Sequence, residues 1–288
     1  MASVAVVTDT CHYLPRSLVE RFGLVEVPLH VHLDGEDHRE SDLADLAAYY
    51  ARLRDLQGLP TTSQPAIGEF LAAYEPLLAG GADVVSVHLA GGLSGTCESA
   101  RQARDRLGDA AGRVHVVDSA TACGGEGLIV LAAVRAAQEG RPAEEVVAFA
   151  REAREHMKQW FAIDTLEYLR RGGRIGGAQA WMGAALKIKP ILTVESEITP
   201  VERVRTSARA FERMVDLLRT RHDDGANGWV VQHIQVPDEA ARLVARGREI
   251  YGSEPLWVSE VGPVIGTHVG PGLLGCGAVP SRYVPGAG

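Results

Sequence analysis

Three polar stretches in this chain carry side chains able to hold a small anion. The first is Leu89-Ala90-Gly91-Gly92-Leu93-Ser94-Gly95-Thr96, which lies between the apolar run Val84–His88 and a polar helix-like run from Cys97. Glycines there let the backbone approach a ligand. A helix start offers unpaired N–H groups with partial positive charge. Ser94, Gly95 and Thr96 together present hydroxyl and amide donors for a carboxylate or phosphate. The plainer reading is a turn capped by Thr96. The second stretch is Thr61-Thr62-Ser63-Gln64-Pro65, in which Thr62 and Ser63 are either ligand donors or a helix cap with Pro65 in the first turn. The third is Gly266-Thr267-His268-Val269-Gly270-Pro271-Gly272, whose His268 either joins a polar site or bonds a backbone carbonyl. Arg174, after Gly172-Gly173, reads as a cap on the preceding carbonyls.

Other chemistries have weaker support. Gly92-Leu93-Ser94-Gly95-Thr96 lacks the second glycine of a nucleophile elbow. A Ser94–His268–Asp118 triad would make the chain a serine hydrolase acting on a lipid or ester, an alternative that only geometry decides. His30, His32 and His38 have a spacing a metal could use, but nothing completes the ligand set, so no metal is expected. Cys11, Cys97, Cys123 and Cys276 form no C-x-x-C pair and read as small buried residues. There is no P-loop, and Gly172–Gly177 lacks the dinucleotide-binding spacing. No cofactor is expected.

Composition sets the frame. The chain has 288 residues, 46% hydrophobic and 23% charged, with a formal net charge of −8. That is an ordinary globular balance with material for two domains. An acidic chain is a poor general nucleic-acid binder. No apolar run approaches the ~20 residues of a membrane span, so no stable membrane insertion is expected. Met1-Ala2-Ser3 leads straight into a strand with no basic leader, so a cytoplasmic location is expected.

The elements that must position these residues alternate. Strands are expected at 4–8, 25–33, 84–88 and 113–119, with helices after Leu14-Pro15, at 41–56, after Pro65, after Thr96, after Gly127 and at 142–159. That alternation predicts an α/β fold with a doubly wound, mostly parallel sheet, whose ligand loops gather at the strand carboxyl ends. From about residue 160 the texture changes to a strand at 161–164, a helical turn at 166–171, a helix at 178–186, a hairpin about Glu195-Ser196-Glu197, then alternating helices and strands. This predicts an N-terminal α/β domain over 1–158 and a C-terminal α+β domain over 159–288. Trp181, Met182, Ala184, Ala185 and Leu186 read as core, with a ligand tunnel as the other reading. Arg203 and Arg205 read as solvated surface or as a patch for an acidic partner.

Taken together, the chain resembles the DegV family, the bacterial fatty-acid-binding proteins that include the FakB type. The matching stretches run in order: Val7-Thr8-Asp9-Thr10 with Leu14-Pro15, Thr62-Ser63-Gln64-Pro65, Leu93-Ser94-Gly95-Thr96, Asp118-Ser119, Asp164–Leu169 with Gly172-Gly173-Arg174-Ile175, Lys187–Ile191, and Gly266–Gly272. The resemblance implies two domains with a long-chain fatty acid between them, and a lipid-binding carrier rather than an enzyme. It implies a carboxylate held by Thr62 and Ser94, with His268 and Arg174 in the same network. It also implies presentation of that carboxylate to a separate fatty acid kinase that makes the acyl-phosphate. The chain departs from the family pattern at Ala66 (often serine), Cys97 (often tyrosine) and Ala90-Gly91 (often two serines), so fewer hydroxyls line the loop.

Overall fold

The computed structural model describes residues 3–55, 58, 60–182 and 188–286. Four strands, Val25–Val27, Val4–Asp9, Asp83–His88 and Val114–Asp118, lie side by side in that spatial order, all parallel. Helices Ile67–Ala79 and Thr96–Asp105 cover one face through Phe70, Tyr74 and Ala100. Helices Cys123–Gln138 and Ala143–His156 cover the other. This is the expected doubly wound sheet. Its strand order reverses between Val4–Asp9 and Asp83–His88, where ligand crevices open in such folds.

A second, mixed sheet follows, in the order Glu197–Val204, Lys189–Glu195, Lys158–Ala162, Leu274–Val279, Gly228–His233, Trp257–Glu260. Its outer face carries helices Ser207–Asp223 and Pro237–Tyr251 through Met214, Val215 and Leu243. Its inner face meets Cys123–Gln138, so that helix lies between the two sheets and joins Val85 and Val117 of one to Val230 and Val279 of the other. Twelve of its residues are buried, as expected of a helix apolar on all sides. Gly124, Gly125 and Gly127 belong to its first turn rather than preceding it. A Cβ on Gly125 would come within 2.7 Å of Gln159 Oε1, and one on Gly127 within 2.9 Å of the Trp257 ring. The glycines let the helix start lie against the second sheet.

Several local expectations are corrected. Residues 25–33 do not make one strand: Pro28, which has no N–H for a ladder, separates Val25–Val27 from His30–Leu33, which enters a small antiparallel sheet with Glu36–Arg39 and Thr61–Ser63. Thr61–Ser63 is therefore a strand rather than a loop. The helix expected at 41–56 is a 3₁₀ turn at Glu40–Asp42 followed by Leu46–Asp55, and Leu56 lies outside the described residues. The helix at 142–159 ends at His156, and the next strand starts at Lys158 instead of 161. The helix expected at 178–186 begins as a 3₁₀ segment, Gly176–Trp181, while Ala184, Ala185, Leu186 and Lys187 lie outside the described residues. Among the described residues, no helix is long and apolar enough to cross a membrane.

Glu126, on the central helix, is fully buried, and among the described residues neither carboxyl oxygen accepts from a protein donor. Its neighbour Asp9 takes the amides of Cys11 and Leu89 at 2.9 and 3.0 Å and faces His88 Nδ1 at 3.1 Å. Burial first, then the charge of Asp9, holds the Glu126 carboxyl protonated well above its usual range. In the unfolded chain Glu126 ionises near 4.5. Above that pH the folded state binds the extra proton, so this residue makes stability fall as pH rises. Glu126→Gln keeps an N–H facing Asp9 and has no proton to lose. Thermal unfolding should show the variant more stable than the parent at pH 7–8, with the gap closing by about pH 4.5; an equal gap at both ends would contradict this.

Candidate functional site

The short helix Pro263–Val269 places His268, and its position is set by the opposite half of the chain. Glu40 is buried and accepts from the Val264 amide at 2.8 Å, at the helix N-terminus. Tyr13 OH donates to Glu40 at 2.8 Å, and the Ile265 amide donates to Tyr13 OH at 3.2 Å. Thr10 Oγ1 donates to the second oxygen of Glu40. Tyr50 OH donates to the Val261 carbonyl at 2.6 Å, and Tyr49 OH pairs with Thr267 Oγ1 at 2.6 Å. An acceptor borrowed from elsewhere thus satisfies helix-start amides that the chain cannot satisfy itself. Glu40, Tyr13, Tyr49 and Tyr50 escape a sequence reading because their partners lie more than 200 residues away.

So held, His268 Nε2 meets Thr62 Oγ1 at 2.8 Å. Its Nδ1 is buried, without a partner among the described residues, against Gly172, where a Cβ would come within 2.3 Å. Burial first, and then the Arg174 charge, depress its pKa to about 4. Arg174 crosses the same rim, donating to the Leu93 carbonyl at 3.3 Å and the Gly172 carbonyl at 2.9 Å. Ser94 Oγ pairs with Thr96 Oγ1 at 2.9 Å. Ser63 Oγ pairs with His32 Nε2 at 3.0 Å. Asp118 accepts from the Gly91 and Ala120 amides at 3.2 and 2.7 Å and so pins the loop behind Ser94.

Thr62, Ser63, Ser94, Arg174 and His268 all line one cavity of about 940 Å³, its open mouth included, between the two sheets. Gly95 and Thr96 do not reach its wall. Gly95 packs against the Gln64 side chain and Thr96 is buried beneath Ser94, so both act on the loop rather than at the cavity. Beyond the rim the wall is mainly apolar, with Leu89, Phe161, Val194 and Ile198 among its residues. Among the described residues lining it, Arg174 is the one that carries a full charge, and there is no carboxylate.

The rival chemistries do not assemble. Ser94 bonds Thr96, His268 bonds Thr62 and Asp118 bonds backbone amides, so no Ser94–His268–Asp118 relay is formed. A buried Asp9–His88–Ser86–Tyr74 chain has relay-like links of 3.1, 2.6 and 2.8 Å, but every member is sealed from solvent. His30 pairs with Glu69 and Asp37, and His38 with Glu36; among the described residues no group is arranged to hold a metal. Burial raises the thiol pKa values of Cys11, Cys97, Cys123 and Cys276, which keeps them protonated. Trp181 lies under the Arg203 guanidinium and Met182 is exposed, and neither lines the cavity.

The neutral state of His268 is measurable. Its folded pKa lies below the ordinary 6.5, so the unfolded state binds the proton first and stability drops as pH falls from about 6.5 to 4. In the ligand-free protein, NMR should follow this ring titrating near 4; a midpoint near 6.5 would contradict the buried geometry.

Comparison with known proteins adds three findings. The family model described as "Uncharacterised protein, DegV family" matches residues 3–281. A DegV domain-containing protein of Streptomyces coelicolor is 40% identical over 278 residues, covering 94% of this chain and 96% of that one. Two solved structures superpose with TM-scores of 0.87: a DegV family protein from Thermus thermophilus described by its fatty acid binding, 34% identical over 96% of this chain and 99% of that one, and DegV of Bacillus subtilis, described as a fatty acid binding protein, 35% identical over 97% and 99%.

Proposed function

The chain belongs to the DegV family, and from that premise and the cavity we propose that it is a non-enzymatic carrier of a long-chain fatty acid held between two domains, residues 1–158 and 159–288. The observation that carries this reading is the cavity itself. It is mainly apolar, contains no carboxylate among its described lining residues, and gathers Thr62, Ser94, His268 and Arg174 at one rim. An amphiphilic anion matches that distribution. Each buried methylene contributes about 0.8 kcal/mol, so a chain of ~16 carbons gives about 12 kcal/mol before association costs.

The head group needs donors, because a buried carboxylate without them is costly. His268 is neutral near pH 7. With its proton on Nε2 it donates to Thr62 Oγ1, which leaves the Thr62 hydroxyl proton free for the ligand. Ser94 supplies a second hydroxyl, and Ser63 stands beside Thr62 on the same wall. Arg174 adds positive charge at the rim without being buried. Hydroxyl donors leave the carboxylate its negative charge, so one oxygen remains a nucleophile.

The second part of the proposal uses that oxygen. It attacks the γ-phosphorus of ATP held by a separate fatty acid kinase, giving acyl-phosphate and ADP. The role assigned to this chain is presentation, in keeping with the missing P-loop. Exposed Arg203 and Arg205 are available to an acidic partner surface.

Titration with a long-chain fatty acid tests the carrier reading. The Thr62→Ala/Ser94→Ala double variant should bind at least tenfold more weakly, about 1.4 kcal/mol or more, with an unchanged fold by circular dichroism. Undiminished affinity would sink the head-group assignment. Acyl-phosphate should form from loaded protein and ATP only when the kinase is added; formation without it would make the chain an enzyme.

A further inference from the structure

The inner face of the second sheet has a trough in it. Gly275 and Gly277 lie on the strand Leu274–Val279, and both line the cavity. In register, Gly275 stands between Phe161 and Gln232, and Gly277 between Gln159 and Val230. Two missing side chains make a floor, and the four flanking side chains make walls. The start of the central helix, Cys123 and Gly124, lies opposite. An alkyl chain can lie along this floor, but the walls are not uniformly apolar.

Two of the four wall residues are glutamines, and their amides differ. Gln159 is engaged at both ends: its Oε1 accepts from the Gly125 amide at 2.8 Å and its Nε2 donates to Thr121 Oγ1 at 2.6 Å. Gln232 is engaged at one end. Its Nε2 donates to Ser259 Oγ at 2.9 Å and points to the His12 carbonyl at 3.5 Å. Ser259 Oγ can donate or accept, so it is the His12 carbonyl, an acceptor only, that favours the nitrogen on that side. Gln232 Oε1 is thereby turned toward the cavity, where it stands 3.0 Å from the position a Cβ on Gly124 would take. It accepts from no group among the described residues, and it is open to the cavity rather than sealed among protein atoms. A plain methylene chain passing this oxygen would desolvate it and give nothing back.

We propose that Gln232 is a specificity-determining residue, and that the trough is built for an acyl chain bearing a hydroxyl along its length, whose O–H donates to Gln232 Oε1. This rests on the fatty-acid reading above and narrows its ligand to hydroxylated long-chain fatty acids. A site arranged around an unsatisfied acceptor discriminates against the analogue that lacks the donor.

The test compares stearic acid with a panel of hydroxystearic acids that differ only in hydroxyl position, by competition against one fluorescent fatty acid. The unmodified protein should bind at least one isomer on the order of tenfold more tightly than stearate. In Gln232→Leu the order should invert, with stearate gaining and that isomer losing affinity. Gln232→Met, closer in shape, should invert it in the same way and covers a folding failure of the leucine variant. If stearate binds but every isomer binds more weakly, in the parent and the variants alike, the inference is overturned, and a trapped water is what satisfies Gln232. If neither stearate nor any hydroxystearate binds, the carrier reading fails and this inference fails with it.

Discussion

A buried carboxylate at the start of a seven-residue helix holds the site together. Glu40 takes the Val264 amide, the Tyr13 hydroxyl and the Thr10 hydroxyl, and so fastens Pro263–Val269 to the other half of the chain. Hydrogen bonds to a charged group are worth about 1.5–3 kcal/mol each, whereas a helix this short is not stable alone. Burial raises the Glu40 pKa above its ordinary value, and these donors offset only part of that rise. Release of Glu40 would free the helix start, and His268 would lose its register with Thr62. The rim is therefore a product of tertiary docking rather than a local motif, since the His268–Thr62 contact joins residues 206 positions apart.

The same economy of space shapes the cavity. One helix, Cys123–Gln138, serves both sheets, and its glycine-rich first turn lets it sit close to the second. The space left beside that turn becomes the cavity. Beneath it, Asp9 ties the Leu89 amide and His88 together where the first sheet reverses its order, so the loop that carries Ser94 departs from a fixed point. The cavity between the sheets is mainly apolar, and Thr62, Ser94, His268 and Arg174 gather at one rim of it.

Much of this was legible in the sequence because the signals were local. The short apolar runs at 4–8, 84–88 and 113–119 and the polar loops after them pointed to the parallel sheet, and Thr62, Ser63, Ser94, Arg174 and His268 were each marked by an unusual Gly, Pro or hydroxyl setting. What was not legible depended on partners distant in sequence. Glu40, Tyr49 and Tyr50 take their partners from Val264, Thr267 and Val261, more than 200 residues on. Gln159 fell at the expected end of a helix and proved to line the cavity from a strand. The strand Leu274–Val279 was missed because Leu-Gly-Cys-Gly-Ala-Val has two glycines that weaken any strand signal, and those glycines are what opens the trough. Gly95 and Thr96 were singled out with Ser94, but the loop turns only Ser94 of the three into the cavity.

The most direct test of the central claim is native mass spectrometry of the protein as purified, followed by denaturation and identification of what is released. The account predicts a long-chain fatty acid at close to one per chain. A protein that is empty as purified, and stays empty after incubation with long-chain fatty acids, would contradict it.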